Sequence, residues 1–169
     1  MRLLTPAIKY WTCKSAPPFL YEAMECLGGN GYVEDGILAR HYRESPVNAI
    51  WEGSGNVMCL DVLRALSREP EAATAVLQSL AAETKGLPGA GDTVDFIGKT
   101  FRRADGERMA RLAVEKLALL AAAAALNGVS PRQAELFAAT RLATNHASMY
   151  GAVELESGEV RALLERALP

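Results

Sequence analysis

The sequence has few of the residues that build disulfide frameworks or metal sites. It holds three cysteines, Cys13, Cys26 and Cys59, an odd number with no C-x-x-C spacing. That pattern argues against a disulfide framework and against a cysteine-based zinc site, so no metal is predicted. Cysteines of this kind are typical of small buried apolar positions in a reducing compartment, and we expect a cytoplasmic protein. The two histidines, His41 and His146, lie far apart and are interpreted as ordinary polar residues.

The sequence also lacks a dominant charge, an alternating strand pattern and a long apolar run. With 18 Lys and Arg against 20 Asp and Glu, the net charge is −2, which implies no overall attraction to nucleic acid or to an anionic membrane. The longest apolar run, residues 117–126, is mostly alanine and is short of the roughly 20 residues that span a bilayer. The N-terminus carries no extended apolar segment of the signal-peptide kind.

Apolar residues at helical spacing are abundant, and they predict an all-α fold. Hydrophobic residues make up 50% of the chain. They recur every three or four positions, which predicts helices over about 6–27, 55–66, 71–85, 93–103, 107–126, 131–154 and 157–168. The break at residues 67–70 is taken as a domain boundary. Residues 1–67 then form one helical part, and residues 68–169 form an additional small bundle of four or five helices.

Several helix ends are predicted from local signals. Thr5 is expected to cap the first helix, and Pro17-Pro18 should either kink it or end and restart it. Asp105-Gly106 either interrupts a helix or lies within a longer one. Asn127-Gly128 should end the helix before it, and Ser130 with Gln133 reads as a capping box. Ser157 is expected to cap the last helix.

The stretch around Glu52 carries the strongest chemical signal. Glu52 follows Ile50 and Trp51 directly and is followed by Gly53 and Gly55. On a surface turn such an acid is solvated and ordinary. Against apolar walls, desolvation disfavours the charged form and makes the carboxylate a stronger base. The two glycines permit tight backbone geometry and the close approach of a ligand.

A glycine loop precedes that stretch. Gly28-Gly29-Asn30-Gly31 follows a helix rather than a strand and does not match G-x-G-x-x-G, so a Rossmann site is excluded by context. On its own the loop is typical of a helix C-cap followed by a turn.

Both stretches resemble one known family. The segments 7–11, 25–32, 42–43, 50–56 and 59–64 resemble the C-terminal helical domain of the acyl-CoA dehydrogenases, closest to its alkylation-response (AidB-like) branch. The dense resemblance covers about residues 2–67, and residues 68–169 more weakly resemble the extra helical region of that branch. The first helical domain, the β-domain and most of the flavin site lie upstream in that family. The resemblance therefore implies a C-terminal fragment that is inactive and free of FAD by itself.

The resemblance implies roles for single residues. Glu52 stands where the family has its catalytic base, which removes the α-proton of an acyl-CoA thioester while the β-hydride passes to FAD. Gly28 and Gly29 match the loop that approaches the FAD held mainly by a neighbouring subunit, and Ser54 and Asn56 match flavin-contacting positions. The family assembles as tetramers, so a homo-oligomer is expected.

Three positions depart from the family pattern. Glu25 replaces a commoner Gln, so it either turns away from the cofactor pyrophosphate or belongs to a different mode of cofactor binding. Asn56 replaces a Gln and is one methylene shorter. Trp51 replaces a Tyr, and the larger indole predicts a narrower acyl site and shorter acyl chains.

A second reading is a DNA-associated helical protein with weak or vestigial dehydrogenase activity. Between residues 99 and 116 six basic residues stand against three acidic ones. This is typical of a solvated helix face, but the AidB-like branch is associated with duplex DNA. The predicted phosphate contacts are Lys99, Arg102, Arg103, Arg108 and Arg111, with Lys116, Arg132 and Arg141 as additions.

Overall fold

The computed structural model describes residues 3–103, 105–143, 150–152 and 154–168. In those ranges every regular element is helical, which confirms the all-α prediction. The α-helices are α1 Leu4–Cys26, α2 Gly29–Tyr32, α3 Ile37–Glu44, α4 Gly55–Arg68, α5 Pro70–Glu83, α6 Ala90–Arg102, α7 Ala110–Val129, α8 Pro131–Arg141 and α9 Ser157–Ala167. Two short 3₁₀ helices, Ser45–Ala49 and Gly106–Met109, precede α4 and α7.

Helix α1 runs through both prolines without a break. Its 23 residues include Pro17 and Pro18, so of the two alternatives, a kink or an end and restart, the second is wrong. A proline lacks the N–H that would bond to the carbonyl four residues back. The helix persists because its residues pack along much of their length on later elements, and packing outweighs local propensity. The predicted cap is also wrong, since the helix starts at Leu4, before Thr5, and no side chain caps it.

Helix α7 is the central element of the fold. It packs against α1, α4, α5, α6 and α8. Its small alanines let neighbouring helices approach closely, while Val114, Leu117 and Leu120 are fully buried. Leu112 and Met109 are less buried, at 41% and 36% exposed. Residues Gly106–Val129 are long and apolar enough to cross a membrane, judged by length and composition alone. Half of the most apolar 18-residue stretch within them is buried inside the fold. Packing around α7 accounts for its apolar character.

The termini of α7 and α8 differ from the predicted ones. Helix α7 continues through Asn127-Gly128 to Val129, and Asn127 Nδ2 donates to the Glu83 carbonyl at 2.8 Å, at the end of α5. Ser130 makes no side-chain cap on α8, so the predicted capping box does not form. Helix α8 ends at Arg141 rather than near residue 154, because Ala143 N–H donates back to Ala138 at 3.1 Å, the termination that closes many helices.

Two further helix starts are settled by the described residues. The Gly106–Met109 3₁₀ helix separates α6 from α7, so Asp105-Gly106 interrupts the helical pattern. Glu156, not Ser157, caps α9, and it forms a capping box with Glu159. His146 lies outside the described residues.

The core is continuous across the predicted boundary. Helix α4 ends at Arg68 and α5 begins at Pro70, so the chain does break where expected. Yet Leu3, Tyr10 and Val62 from the first part belong to the same buried cluster as Leu117 and Leu120 from the second. The division into two domains stays a prediction, while the packing joins both parts into one core.

Candidate functional site

Glu52 lies in a tight turn between the first 3₁₀ helix and α4. The amides of Ile50 and Trp51 both donate to the Val47 carbonyl, at 3.0 and 3.1 Å. Glu52 itself has φ of 58°, the one positive φ at a non-glycine position in the described part of the chain. A side chain in this left-handed region costs roughly 1–2 kcal/mol. Such strain is concentrated at functional sites, where surrounding contacts hold it in place.

Two glycines complete the turn at positions where a Cβ would be strained or would force neighbouring side chains to shift. Gly53 has φ of 114°, and a Cβ there would overlap the methyl group of Met58. A Cβ on Gly55 would lie 2.9 Å from Cε of Lys14 and 3.3 Å from Cε2 of Tyr10, because the start of α4 presses against α1. The glycines predicted to permit tight geometry therefore do so.

Lys9 on α1 holds the turn from the side. Its Nζ donates to the Trp51 carbonyl at 2.8 Å, to the Gly53 carbonyl at 2.9 Å and, more weakly, to the Asn48 carbonyl at 3.4 Å. Sequence reasoning missed this role, since Lys9 appeared only as one letter of the resembling segment 7–11. Three acceptors that lie 39 to 44 residues away carry no local signal.

Glu52 and its apolar neighbours face outward in this chain. Glu52 is exposed, Ile50 is 66% exposed and Trp51 is 62% exposed. The described residues therefore show the solvated-turn alternative. Desolvation of Glu52 would require cover from outside them. The turn leaves the carboxylate and two large apolar side chains open on the same short segment.

Ser54 and Asn56 stand at the N-terminus of α4, on the far side of Gly53. Both are exposed, and the Ser54 hydroxyl does not cap the helix. The first backbone N–H groups of a 14-residue helix offer donors and a positive dipole end, which suit a phosphate group. These two residues therefore fit the flavin-phosphate role that the resemblance implies.

The glycine loop lies at the other end of α1. Gly28 has φ of 56°, and a Cβ on Gly31 would overlap the Met24 carbonyl, so both positions require glycine. Gly29 faces open space. Met24 and Lys14, which contact the two glycine-bearing segments, are ten residues apart on α1, about 15 Å along a helix axis. Gly28 and Gly29 therefore lie well apart from Ser54 and Asn56. The two pairs would contact either opposite ends of one long ligand or two different ligands.

Glu25 is oriented toward a neighbour on its own helix. The Glu25 carboxylate beside the Tyr21 hydroxyl raises the pKa of Tyr21 by its charge and by hydrogen bonding. Nearby, Arg43 binds Glu34, with Nη2 of Arg43 2.9 Å from Oε2 of Glu34, and this ion pair lowers the pKa of Glu34. Both alternatives for Glu25 therefore stay predictions.

The predicted DNA contacts do not form one free patch. Lys99 lies 4.0 Å from Asp95, and Arg103 forms a bidentate pair with Asp105 at 2.8 and 2.9 Å. Arg111 points toward α1, where its Nε donates to the Tyr10 hydroxyl at 3.2 Å. The Tyr10 contact raises the pKa of Arg111 further. Arg102 and Arg108 are exposed at the end of α6 and in the following 3₁₀ helix. Arg111 is exposed as well, but its guanidinium links α7 to Tyr10 of α1.

A cleft of roughly 1040 Å³ opens elsewhere, between α1, α7, α8 and the segment leading into α9. Aromatic and aliphatic side chains line much of it, including Trp11, Phe19, Phe137 and Tyr150. None of the predicted catalytic or cofactor-binding residues lies in it. Sequence reasoning missed this cleft, because its walls come from segments that lie far apart in the chain.

Comparison with known proteins bears on residues 2–67, which match the family model described as "Acyl-CoA dehydrogenase, C-terminal domain". The chain is 63% identical over 68 residues to AidB of Escherichia coli (strain K12), which carries the acyl-CoA dehydrogenase name. That match covers 40% of this chain and 13% of AidB. The chain is also 48% identical over 67 residues to acyl-CoA dehydrogenase family member 11 of Caenorhabditis elegans, covering 40% of this chain and 11% of the relative.

The matched range contains Lys9, the glycine loop and the Glu52 turn. The chain spans a small share of the length of these curated relatives. Residues 2–67 of the chain thus match the C-terminal domain of the acyl-CoA dehydrogenases and are similar to AidB.

Proposed function

We propose that this chain contributes the catalytic base to an FAD-dependent acyl-CoA dehydrogenase, and that Glu52 is that base. One observation carries the proposal. Glu52 is held at φ of 58° by the turn that Lys9 binds, with its carboxylate and two apolar neighbours left open. A strained carboxylate on a rigid support, beside uncovered apolar surface, suits a site completed by another domain.

The chemistry assigned to this chain is one proton transfer. Glu52 takes the proton from the carbon α to the thioester carbonyl of an acyl-CoA and becomes a neutral acid. The chemistry that a bound FAD would supply is two-electron oxidation, with the β-hydride as the group it would take and a C–C double bond as the result. Ile50 and Trp51, once covered, keep water away from the carboxylate and make it a stronger base. The bulk of Trp51 favours shorter acyl chains.

The cofactor contacts follow from the same placement. Ser54 and the N-terminal amides of α4 would bind a phosphate of the flavin nucleotide, with Asn56 beside them. Gly28 and Gly29 would contact the adenosine end of an FAD held by a neighbouring subunit, which agrees with their distance from the Glu52 turn along α1. The chain alone is proposed to be inactive, because Ile50 and Trp51 are 66% and 62% exposed among the described residues.

The test replaces one atom of the proposed base. In the FAD-loaded holoenzyme that contains this chain, Glu52→Gln should keep FAD bound but lose turnover with short acyl-CoA by on the order of 10²–10⁴-fold, the usual contribution of a general base. Glu71→Gln is the matched control, since Glu71 is an exposed acid in the first turn of α5. Undiminished turnover in Glu52→Gln would remove Glu52 from the mechanism.

Duplex DNA binding is a second proposed function, favoured by the exposed cations Lys99, Arg102, Arg103 and Arg108 around the α6 terminus. Because Lys99 and Arg103 already have acidic partners, the surface should bind weakly. Sequence-independent affinities of about 10⁻⁴–10⁻⁶ M at physiological salt are expected, falling as salt rises. The double variant Arg102→Ala/Arg103→Ala should weaken binding for all sequences alike in a titration of labelled duplex, while Arg40→Ala/Arg64→Ala should not. Binding that is absent at low salt would refute this function.

A further inference from the structure

We propose that Lys9 is a positioning residue for the Glu52 base, and that it sets the direction of the Glu52 carboxylate by fixing the backbone on both sides of it. The inference rests on the proposed function of Glu52 for its catalytic meaning. The hydrogen bonds on which it depends all lie within this chain.

The three hydrogen bonds of Lys9 bracket Glu52. The Trp51 carbonyl belongs to the peptide unit just before Glu52, and Lys9 Nζ holds it at 2.8 Å. The Gly53 carbonyl belongs to the unit that follows Gly53, and Nζ holds it at 2.9 Å. An ammonium group has three N–H donors and no acceptor, so the Asn48 carbonyl at 3.4 Å accounts for the third. Only the backbone torsions of Glu52 and Gly53 lie between the two short bonds.

Lys9 anchors this turn to the protein core. Lys9 lies on α1 between Ala7, which is fully buried, and Tyr10, which is 7% exposed. Tyr10 is in turn held by the hydrogen bond from Arg111 of α7. The turn is thus tied to α1 and, through it, to α7. A base carried on a loop gains precision in this way, because a side chain on a rigid helix orients it.

The opposite interpretation is that Lys9 only adds general stability. The two interpretations differ in where an effect is seen. If Lys9 positions the turn, its loss acts on residues 47–53 and on the chemical step. If it adds only stability, its loss acts on the whole fold, and substrate binding and turnover decline together.

The first experiment needs no cofactor or substrate. Hydrogen exchange of the Ile50 and Trp51 amides, both bonded to Val47, is measured in this chain and in Lys9→Met, which keeps an unbranched apolar stem and removes the donors. We expect exchange at these amides to accelerate by about tenfold or more, with α4 amides unchanged, since local opening is released without global unfolding. Lys85→Met, an exposed lysine beyond α5, should leave both unchanged. Lys9→Arg, which retains the charge and donors, should lie between wild type and Lys9→Met.

Exchange at Ile50 and Trp51 that matches wild type in Lys9→Met would overturn the proposal. An equal acceleration across α4 and α7 would also overturn it. Should Lys9→Met fail to fold, Lys9→Gln, which shortens the side chain and removes its charge, decides the outcome. Faster exchange confined to residues 47–53 supports the proposal, and unchanged exchange refutes it.

The second experiment uses the FAD-loaded holoenzyme. Lys9→Met should lower kcat on the order of 10²-fold, the effect of a misplacement of about 1 Å, with KM for acyl-CoA nearly unchanged. In a Glu52→Gln background it should add no further loss, because it acts through Glu52. If Glu52→Gln leaves turnover intact, the proposed function fails, and the exchange experiment still decides whether Lys9 holds the turn. If Glu52→Gln abolishes turnover but Lys9→Met retains full kcat, the positioning role is refuted.

Discussion

Glu52 combines two properties that conflict in most residues, a positive φ and a side chain with a proposed chemical role. A backbone φ of 58° is unstrained for glycine but strained for glutamate. Evolution of stability alone would place glycine there, as it does at Gly53 beside it. A charged side chain at this position is therefore more informative than an acid in an ordinary helix or loop, and it points to a role that outweighs the strain.

The strain leads to a prediction about stability. Glu52→Gly should be more stable than Glu52→Gln by about 0.5–1 kcal/mol. It relieves roughly 1–2 kcal/mol of left-handed strain and loses part of that to the greater freedom of glycine in the unfolded chain. Urea unfolding of the two variants measures the difference. A less stable Glu52→Gly would mean that the turn imposes no strain on a side chain at this position.

At the scale of the elements, α7 joins the two parts of the chain. Leu117 and Leu120 on α7 share a buried cluster with Tyr10 and Val62 from α1 and α4. The Arg111 side chain adds a polar link, with its guanidinium 5.8 Å from the centre of the Tyr10 ring as well as bonded to its hydroxyl. We infer that residues 2–67 depend on α7 for their own folded state.

This dependence predicts coupled unfolding. Leu117→Ala should cost about 2–5 kcal/mol, because it opens a cavity at a fully buried position. Both tryptophans, Trp11 and Trp51, lie in the first part, so fluorescence reports on that part while circular dichroism reports on all helices. Both signals should shift to lower denaturant together.

Leu112→Ala on the same helix is the control. Leu112 is 41% exposed, and the change should cost within about 1 kcal/mol. A tryptophan transition that stays in place while the dichroism transition moves would contradict the shared core and favour two independent domains.

Some of the helices and helix ends could be predicted from the sequence, and others could not. Helices α4 and α6 were predictable because their apolar residues recur at helical spacing, and their amphipathic faces pack as that spacing requires. For α1 the sequence predicts a helix but does not decide whether it continues through Pro17 and Pro18, since prolines often end a helix and packing on later residues decides the outcome. The end of α8 could not be predicted, because it depends on the hydrogen bond from the Ala143 N–H to the Ala138 carbonyl. No helix-breaking residue marks it in the sequence.

The candidate site divides in the same way. The acid, its two glycines and the helix N-terminus after them are contiguous in sequence, so their pattern could be read. The Lys9 bonds, the Arg111 contact with Tyr10 and the cleft between α1 and α8 join residues far apart in the chain. Such contacts become visible only after folding.

At the scale of the whole molecule, the exposed apolar side chains are concentrated in residues 2–67, the range that matches the family model. Most of the exposed large apolar side chains in the described residues lie within residues 2–67, while Val129 and Leu168 lie outside that range. Those within it that are at least 60% exposed are Phe19, Tyr32, Ile37, Ile50 and Trp51. The first four helices thus cover less of their apolar surface than α7 does. We propose that other domains or other subunits cover it in the working protein.

Self-association of the chain is the prediction that follows. At micromolar concentration light scattering should report a mass above the 18.1 kDa of one chain. The double variant Ile37→Ser/Trp51→Ser should reduce the mass if these exposed side chains mediate the contact, with Leu112→Ser as the control on α7. A monomer at that concentration would mean that the exposed residues do not bind a second copy.

The central claim is that Glu52 removes a proton so that the flavin can be reduced. The most direct measurement is the visible spectrum of the FAD-loaded holoenzyme, mixed with a short acyl-CoA in the absence of oxygen. The account predicts that the flavin absorbance bleaches in the wild type, and that it persists in Glu52→Gln although FAD stays bound. Bleaching at the wild-type rate in Glu52→Gln, or no bleaching in the wild type with any acyl-CoA, would contradict it.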